Sequence, residues 1–387
     1  MTVALYGGSF NPPHAAHVRA ARIACEALRP DVLLVMPAAD PPHKELERGS
    51  PSPEERLALT RLAFADFPQA QVSELEILRA GESYTADTVR QLTQLYPGGE
   101  IVLVMGADML LYFEQWHEFR FLLANTVVAA LSREEGDNAD MEAYAAHLRE
   151  SYGARVLLLP AAPQPMSSSE IRAALRQRAG AELLPEGVYE RVIRARDYGA
   201  KPQLSWLREQ AYALLKPKRV PHVQGTEAEA VRLARRWGED ENDAAEAAIL
   251  HDITKRLTRE EQLILCDKYG IMVDNAERES EKLLHARTGA ALSRERFGVP
   301  ENIYQAIRWH TTGKPEMTLL EKIIYLADYI EPTRDFPGVE RLRTLAYQNI
   351  DTAMALGLQM CLDDLRSGGI TPHETTVSAL AYYRKDI

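Results

Sequence analysis

Short apolar runs alternating with helix-length amphipathic stretches set the character of the first half of the chain. Residues 2–6 (TVALY), 31–36 (DVLLVM) and 101–108 (IVLVMGAD) are almost unbroken apolar segments of strand length. That is the pattern of strands buried on both faces. Residues 15–28 (AAHVRAARIACEAL) are alanine-rich with apolar positions at helical spacing and predict the first helix. Further strands are expected near 71–77, 125–131 and 154–159, and helices over 53–64, 83–96 and 166–178. Strand, helix, strand in this order implies right-handed parallel crossovers. After residue 203 the strand patterns stop. Stretches such as AEAVRLARRWG and DAAEAAILHD keep a helical period with short Gly, Pro or Asn breaks. The chain therefore reads as an α/β domain over residues 1–198, a linker in DYGAKPQ, and an all-α domain over residues 204–387. A length of 387 residues agrees with two cores rather than one.

The first predicted strand runs into GGSFNPPHAAH, residues 7–17. Two glycines let backbone N–H groups approach an anion, and the following helix start adds unsatisfied N–H groups and partial positive charge. Asn11 is expected to cap that helix, with Pro12 at its first position. His14 and His17, three apart, share one side of its first turn. The segment is an anion cradle. The proline-dense loop 37–53 leaves the carboxyl end of the second strand, where ligands bind in open α/β sheets, so His43 and Lys44 are either phosphate contacts or solvated side chains. Ser83 is either the cap of the next helix or part of a Tyr84–Thr85 grip on a ligand. Asp108, past a central strand, suits a ribose or base contact or a helix cap. Trp116 is an aromatic platform if exposed and a core filler if not. Ser167, Ser168 and Ser169 open a helix carrying Arg172, offering hydroxyls, helix N–H groups and a guanidinium to one anion.

In the second half, five of the ten histidines occur, and four stand in suggestive places: His222, His251, His285 and His310. Asp252 directly follows His251, and Asp328 lies in YLADYIEP. Imidazole and carboxylate together suit iron, manganese or zinc. No pair has zinc-finger spacing, so the ligands must converge from separate helices of a bundle. Lys255 and Arg334, near them in sequence, are phosphate holders or exposed salt-bridge partners. His373 reads as a surface or capping residue, and the amphipathic tail packs on its own domain or a partner subunit, which leaves a homo-oligomer open.

Charge narrows the partners. A net charge of −11 argues against a general nucleic-acid grip, so a bound polyphosphate must be held by a local basic or metal-filled site. Cys25, Cys266 and Cys361 form no CxxC pair and fit free thiols in a reducing cytoplasm. The chain carries neither an apolar run of about 18 residues nor a signal-peptide pattern, so no membrane partner is expected.

GGSFNPPHAAH, PPHK, SYTADT, VMGADM, WHEF and SSSEIR, in this order, resemble the bacterial nicotinate-nucleotide adenylyltransferases of the HxGH nucleotidyltransferase superfamily. Ala16 departs from the glycine usual between the histidines. The resemblance implies a Rossmann-like, doubly wound parallel sheet and transfer of AMP from ATP, accompanied by Mg²⁺, to nicotinate mononucleotide. On that template His14, His17 and Arg172 are catalytic, with His17 stabilising the transition state. Gly8, Ser9 and Phe10 line the nucleotide, Lys44 and Ser168 meet phosphate, and Asp108 holds the adenosine side. Thr85 and Trp116 take the nicotinate ring. HVQGTEAEA, ILHDITK, LLHARTGA, WHTTG and YLADYIEPTR resemble the HD-domain symmetrical diadenosine tetraphosphatases. That implies a dinuclear centre, of iron, held by His222, His251, Asp252, His285, His310 and Asp328, with Asp252 bridging and catalytic, which cleaves diadenosine tetraphosphate to two ADP. Two alternatives stay open: a regulatory, non-hydrolytic HD module, and a different mononucleotide acceptor in the first domain.

Overall fold

Val3, Ala4, Leu5 and Tyr6 are all buried, alternate residues facing opposite sides of one sheet. A computed structural model describes residues 1–42, 45–79, 81–132, 138–160 and 167–384. They divide into two compact units, Met1–Lys201 and Pro202–Ile387.

The strands of the first unit are β1 (Thr2–Gly8), β2 (Val32–Pro37), β3 (Ala70–Val72), β4 (Glu100–Gly106), β5 (Thr126–Leu131) and β6 (Arg155–Leu159). Among the described residues they form one sheet in the order β3-β2-β1-β4-β5-β6, and every neighbouring pair is parallel. The order in which strands are added reverses between β1 and β4, which run parallel with Tyr6 in register with Val104. This is the switch point of a doubly wound fold, and both strands end there in glycine. The helices are α1 (Ala15–Leu28), α2 (Pro53–Ala63), α3 (Leu75–Arg79), α4 (Thr85–Leu95), α5 (Ala107–Leu111), α6 (Phe119–Asn125), α7 (Asn138–Tyr152), α8 (Ser168–Arg176) and α9 (Glu186–Ala195).

Four local expectations change. The cap of α1 is His14, not Asn11, whose side-chain N–H donates to Ser50 Oγ at 2.8 Å. Ser83 does not cap α4; Tyr84 stands at that position, and the Ser83 hydroxyl accepts the Ala39 N–H at 2.8 Å. The strand expected over 71–77 stops at Val72, because α3 turns Glu76 into the protein interior, where Thr88 Oγ1 donates to it at 2.6 Å. The start of the DYGAKPQ segment is no free linker, since Tyr198 is buried and its carbonyl accepts Arg176 Nε at 2.9 Å.

The second unit is helical throughout its described residues. Its helices are α10 (Leu204–Ala213), α11 (Val220–Trp237), α12 (Glu241–Leu250), α13 (Arg259–Lys268), α14 (Asn275–Arg278), α15 (Glu281–Phe297), α16 (Glu301–Trp309), α17 (Leu319–Ile330), α18 (Val339–Gln348), α19 (Ile350–Ser367) and α20 (Glu374–Tyr383). Alanines at 244, 245, 247 and 248 keep α12 thin enough to pack among α11, α16 and α17, and all four are buried. Among the described residues no helix is long and apolar enough to cross a membrane.

Candidate functional sites

At the switch point a cavity of about 660 Å³ opens. Gly7, Gly8 and Ser9 form one wall, and His14 and His17 rise beside them from the first turn of α1. The two imidazoles are nearly stacked, with ring centroids 3.7 Å apart and planes at 32°. The His14 backbone N–H donates to His17 Nδ1 at 3.2 Å, so Nδ1 accepts and the neutral ring carries its proton on Nε2. Ser167 and Ser168 face the same cavity from the start of α8. Thr85 begins α4, and Asp108 stands exposed in the first turn of α5. Gly106, not Asp108, is the cap of α5, which leaves the carboxylate at the cavity.

Aromatic side chains close the remaining side. Trp116 lines the cavity and stacks on Phe113, centroids 5.0 Å apart. Beside it the rings of His117 and Tyr84 meet at 4.3 Å. Phe10, by contrast, is buried and does not line the space among the described residues. It wedges beneath the loop, 5.0 Å from the His17 ring, against Tyr6 and Phe64. A Cβ on Gly8 would lie 3.2 Å from the Phe10 ring, so any side chain there would need that ring to shift by a few tenths of an ångström.

Two arginines shape this loop without lining the cavity. Arg172 is only 5% exposed. Its Nη1 donates to the Asn11 carbonyl at 2.7 Å, Nε to Glu47 at 2.8 Å and Nη2 to Ser169 Oγ at 3.0 Å. It ties the α1 loop to α8. Arg56, fully buried on α2, donates to the carbonyls of Ser9, Ala38 and Ala39 at 2.7–2.8 Å. Burial draws its guanidinium pKa down, and nearby acids oppose the shift.

In the second unit six side chains from five helices and their ends converge. His251 and His310 each directly follow a helix, α12 and α16. Each ring Nδ1–H donates at 2.6 Å to the carbonyl three residues back, Ala248 and Ile307. Those carbonyls belong to the last helical turn and lack intrahelical partners, so they fix the tautomer that turns each Nε2 lone pair inward. His222 on α11 achieves the same through Glu331, its Nδ1 lying 3.0 Å from Oε1. Its Nε2 is 3.0 Å from Asp328 Oδ1 on α17 and 3.4 Å from His251 Nε2. His285 on α15 points Nε2 to His310 Nε2 at 3.0 Å and to Asp252 Oδ1 at 3.1 Å.

Asp252 divides the cluster. Its Oδ2 faces His251 at 3.4 Å and His222 at 3.9 Å. Its Oδ1 faces His285 and His310, yet accepts no well-directed hydrogen bond although buried. Imidazole nitrogens meeting across about 3 Å around such an oxygen are a donor set a divalent cation satisfies. His222, His251 and Asp328 form one grouping of suitable spacing, and His251, Asp252 and His310 another. Burial alone would raise the Asp252 and Asp328 carboxyls, but the surrounding imidazoles hold both well below the usual range. Burial, and then neighbouring positive charge, pushes His310 well down and His285 down. His251 moves the other way: against the effect of burial, the Asp252 and Asp328 charges raise it, so a metal would have to displace its proton.

Three cations surround this centre. Arg334 Nη2 donates to Asp328 Oδ1 at 2.7 Å, and Lys255 Nζ lies 3.7 Å from Asp252 Oδ1. Arg219 Nε donates to Asp252 Oδ2 at 2.6 Å, and its Nη2 pairs with the same oxygen.

Two family models match the chain: cytidylyltransferase-like over residues 5–174 and HD domain over residues 219–333. A probable nicotinate-nucleotide adenylyltransferase of Geobacter metallireducens is 36% identical over 213 residues, which cover 51% of this chain and 98% of the relative. A symmetrical bis(5'-nucleosyl)-tetraphosphatase of Halalkalibacterium halodurans is 42% identical over 156 residues, covering 39% of this chain and 83% of the relative. The chain belongs to both families, one in each half. The Bacillus subtilis tetraphosphatase agrees, at 44% identity over 154 residues, 38% of this chain and 81% of the relative. Both halves are thus members of enzyme families.

In the adenylyltransferase half, Gly8, Ser9, His14, His17, Thr85, Asp108, Trp116 and Ser168 share one cavity, while Phe10 and Arg172 stand behind it. Lys44 lies outside the described residues. In the tetraphosphatase half, all six expected ligands meet. Sequence reasoning missed His117, Arg56, Glu331 and Arg219. WHEF and YIEP contained two of them and KPKRVPHV a third, but Arg56 sits in an ordinary amphipathic helix and gave no signal. His373 is a cap: its Nδ1 accepts the Thr375 N–H at 3.2 Å, and Nε2 reaches Asp274 at 3.0 Å.

Proposed function

We propose that the chain is bifunctional. Residues 1–198 transfer AMP from ATP to nicotinate mononucleotide, giving nicotinate adenine dinucleotide and pyrophosphate. Residues 204–387 hydrolyse diadenosine tetraphosphate symmetrically to two ADP. The observation that carries the first activity is the His14–His17 pair facing Ser167 and Ser168 across one cavity lined by Gly7–Ser9. The convergence of four imidazoles on Asp252 and Asp328 carries the second.

In the first reaction an oxygen of the acceptor's 5'-phosphate forms a bond to the α-phosphorus of ATP as the bond to pyrophosphate breaks. No covalent enzyme intermediate is required, so the protein works by positioning and by meeting developing charge. His17 donates its Nε2 proton as a hydrogen bond to a phosphate oxygen, and His14 holds that ring in place. The first-turn N–H groups of α8, with Ser168, receive the terminal phosphates. Asp108 accepts from the adenosine side, and the α4 start at Thr85 with Trp116 takes the nicotinate ring. A helix start favours a carboxylate over an amide there. Arg172 and Arg56 are positioning residues, and Mg²⁺ enters with ATP. Lys44 is a further phosphate contact.

In the second, His222, His251, Asp328, Asp252, His285 and His310 would hold two metal ions, which we take to be iron. Such ions supply Lewis acidity to the phosphoryl group and acidify water. The chain's own residues keep Asp252 and Asp328 ionised and His285 and His310 neutral, and Lys255 and Arg334 attract the polyphosphate. Free thiols at Cys25, Cys266 and Cys361 fit a cytoplasmic setting.

The test uses the full chain. With ATP and nicotinate mononucleotide it forms the dinucleotide, and with diadenosine tetraphosphate plus Mn²⁺ or Fe²⁺ it releases ADP alone. Release of AMP and ATP, or no dinucleotide, defeats the respective half of the proposal.

A further inference from the structure

Arg219 ends the short turn that precedes α11 and stands one helical turn before His222. No motif singled it out. Both Nε and Nη2 close on a single oxygen, Asp252 Oδ2, the oxygen that also faces His222 and His251. The same oxygen therefore belongs to the proposed donor set and to an ion pair. Asp252 is buried, whereas the Arg219 side chain is 27% exposed. The arginine thus reaches inward from the surface. Asp328 repeats the arrangement with Arg334, and Lys255 Nζ lies 3.0 Å from His285 Nε2 and 3.7 Å from the other oxygen of Asp252.

We propose, building on the metal-centre reading above, that Arg219 is a displaceable cation. Its guanidinium releases Asp252 when divalent metal binds and then holds a phosphate of the polyphosphate substrate. The physical reason is charge neutralisation. A carboxylate shared with a divalent ion attracts a guanidinium less, and a withdrawn, partly exposed guanidinium is a fork suited to phosphate oxygens. Metal and polyphosphate then bind with positive coupling, and by linkage each tightens the other. The substrate class that fits is a chain of several phosphates, because Arg219, Lys255 and Arg334 approach the centre separately.

The test separates this role from that of a strut holding Asp252. Metal-free full-length wild type, Arg219→Met and Arg219→Lys are checked for equal circular dichroism and melting. They are then titrated calorimetrically with Mn²⁺, and the loaded proteins with ADP. Removing a competing ion pair tightens Mn²⁺ binding in Arg219→Met about fivefold. Losing a charge-assisted phosphate contact weakens ADP binding about tenfold, with Arg219→Lys between. A strut predicts the opposite sign for the metal, so Mn²⁺ binding that is unchanged or weaker in Arg219→Met overturns the proposal. Unchanged ADP affinity does so too. Wild type that takes up no Mn²⁺ overturns the metal-centre reading and this proposal with it.

Discussion

Glu331 Oε1 lies 3.0 Å from His222 Nδ1, and the carboxylate is fully buried. Burial would raise its pKa, but the Thr333 hydroxyl and N–H hold it below the ordinary value. Glu331 therefore stays an acceptor and fixes the His222 tautomer. Gly225 belongs to the same construction, since a Cβ there would stand 2.5 Å from Glu331 Oε2. Glu331→Gln is expected to lower metal affinity by about 10–100-fold, because the amide can turn its N–H₂ toward Nδ1 and reverse the tautomer. Metal content after dialysis measures this. Dinucleotide synthesis should be unchanged, and wild-type metal retention in the variant would refute the role.

His17→Ala is expected to lower kcat for adenylyl transfer by about 10²–10³-fold, the cost of one preorganised donor at developing charge. ADP release from diadenosine tetraphosphate should not change. Asp252→Ala should give the reverse pattern. An effect of either substitution on both reactions would contradict separate sites.

Arg56→Met removes a buried cation that joins the ends of β1 and β2 through three carbonyls. Each loses a charge-assisted partner, and the expected cost is about 3 kcal/mol or more. Denaturant unfolding of the first unit reads this out. A loss below about 1 kcal/mol would show that the carbonyls find other partners.

Asp197 provides a pH test. Burial, and then the Glu55 charge, pushes its carboxyl up to about 6, against Arg191. Its Oδ2 is buried without a hydrogen-bond partner. Because the folded pKa exceeds the unfolded value of about 4, the group's stabilising contribution is complete below pH 4 and is lost as pH rises through 6. Asp197→Asn should therefore stabilise the first unit at pH 8 by about 1–2 kcal/mol, with the gain shrinking toward pH 5. Melting curves at the two pH values decide it; a gain that grows on acidification would reverse the sign and refute the argument.

The sequence by itself determined the parts that depend on local periodicity and on side-chain chemistry. Runs such as IVLVMG, short and bounded by turn residues, read as doubly buried strands, and the HVQG, ILHD, LLHA and WHTT stretches carry the rare residue types a metal centre needs. Their mutual approach was legible only as a resemblance. Tertiary structure decided what a hydroxyl, guanidinium or carboxylate touches, because such contacts join residues far apart in the chain. Ser83 satisfies Ala39 rather than its own helix, and Arg172 reaches Asn11 and Glu47 rather than the cavity. Arg56 and Glu331 act through partners that no spacing specifies, since a buried polar group takes whichever backbone or ring the fold brings within about 3 Å.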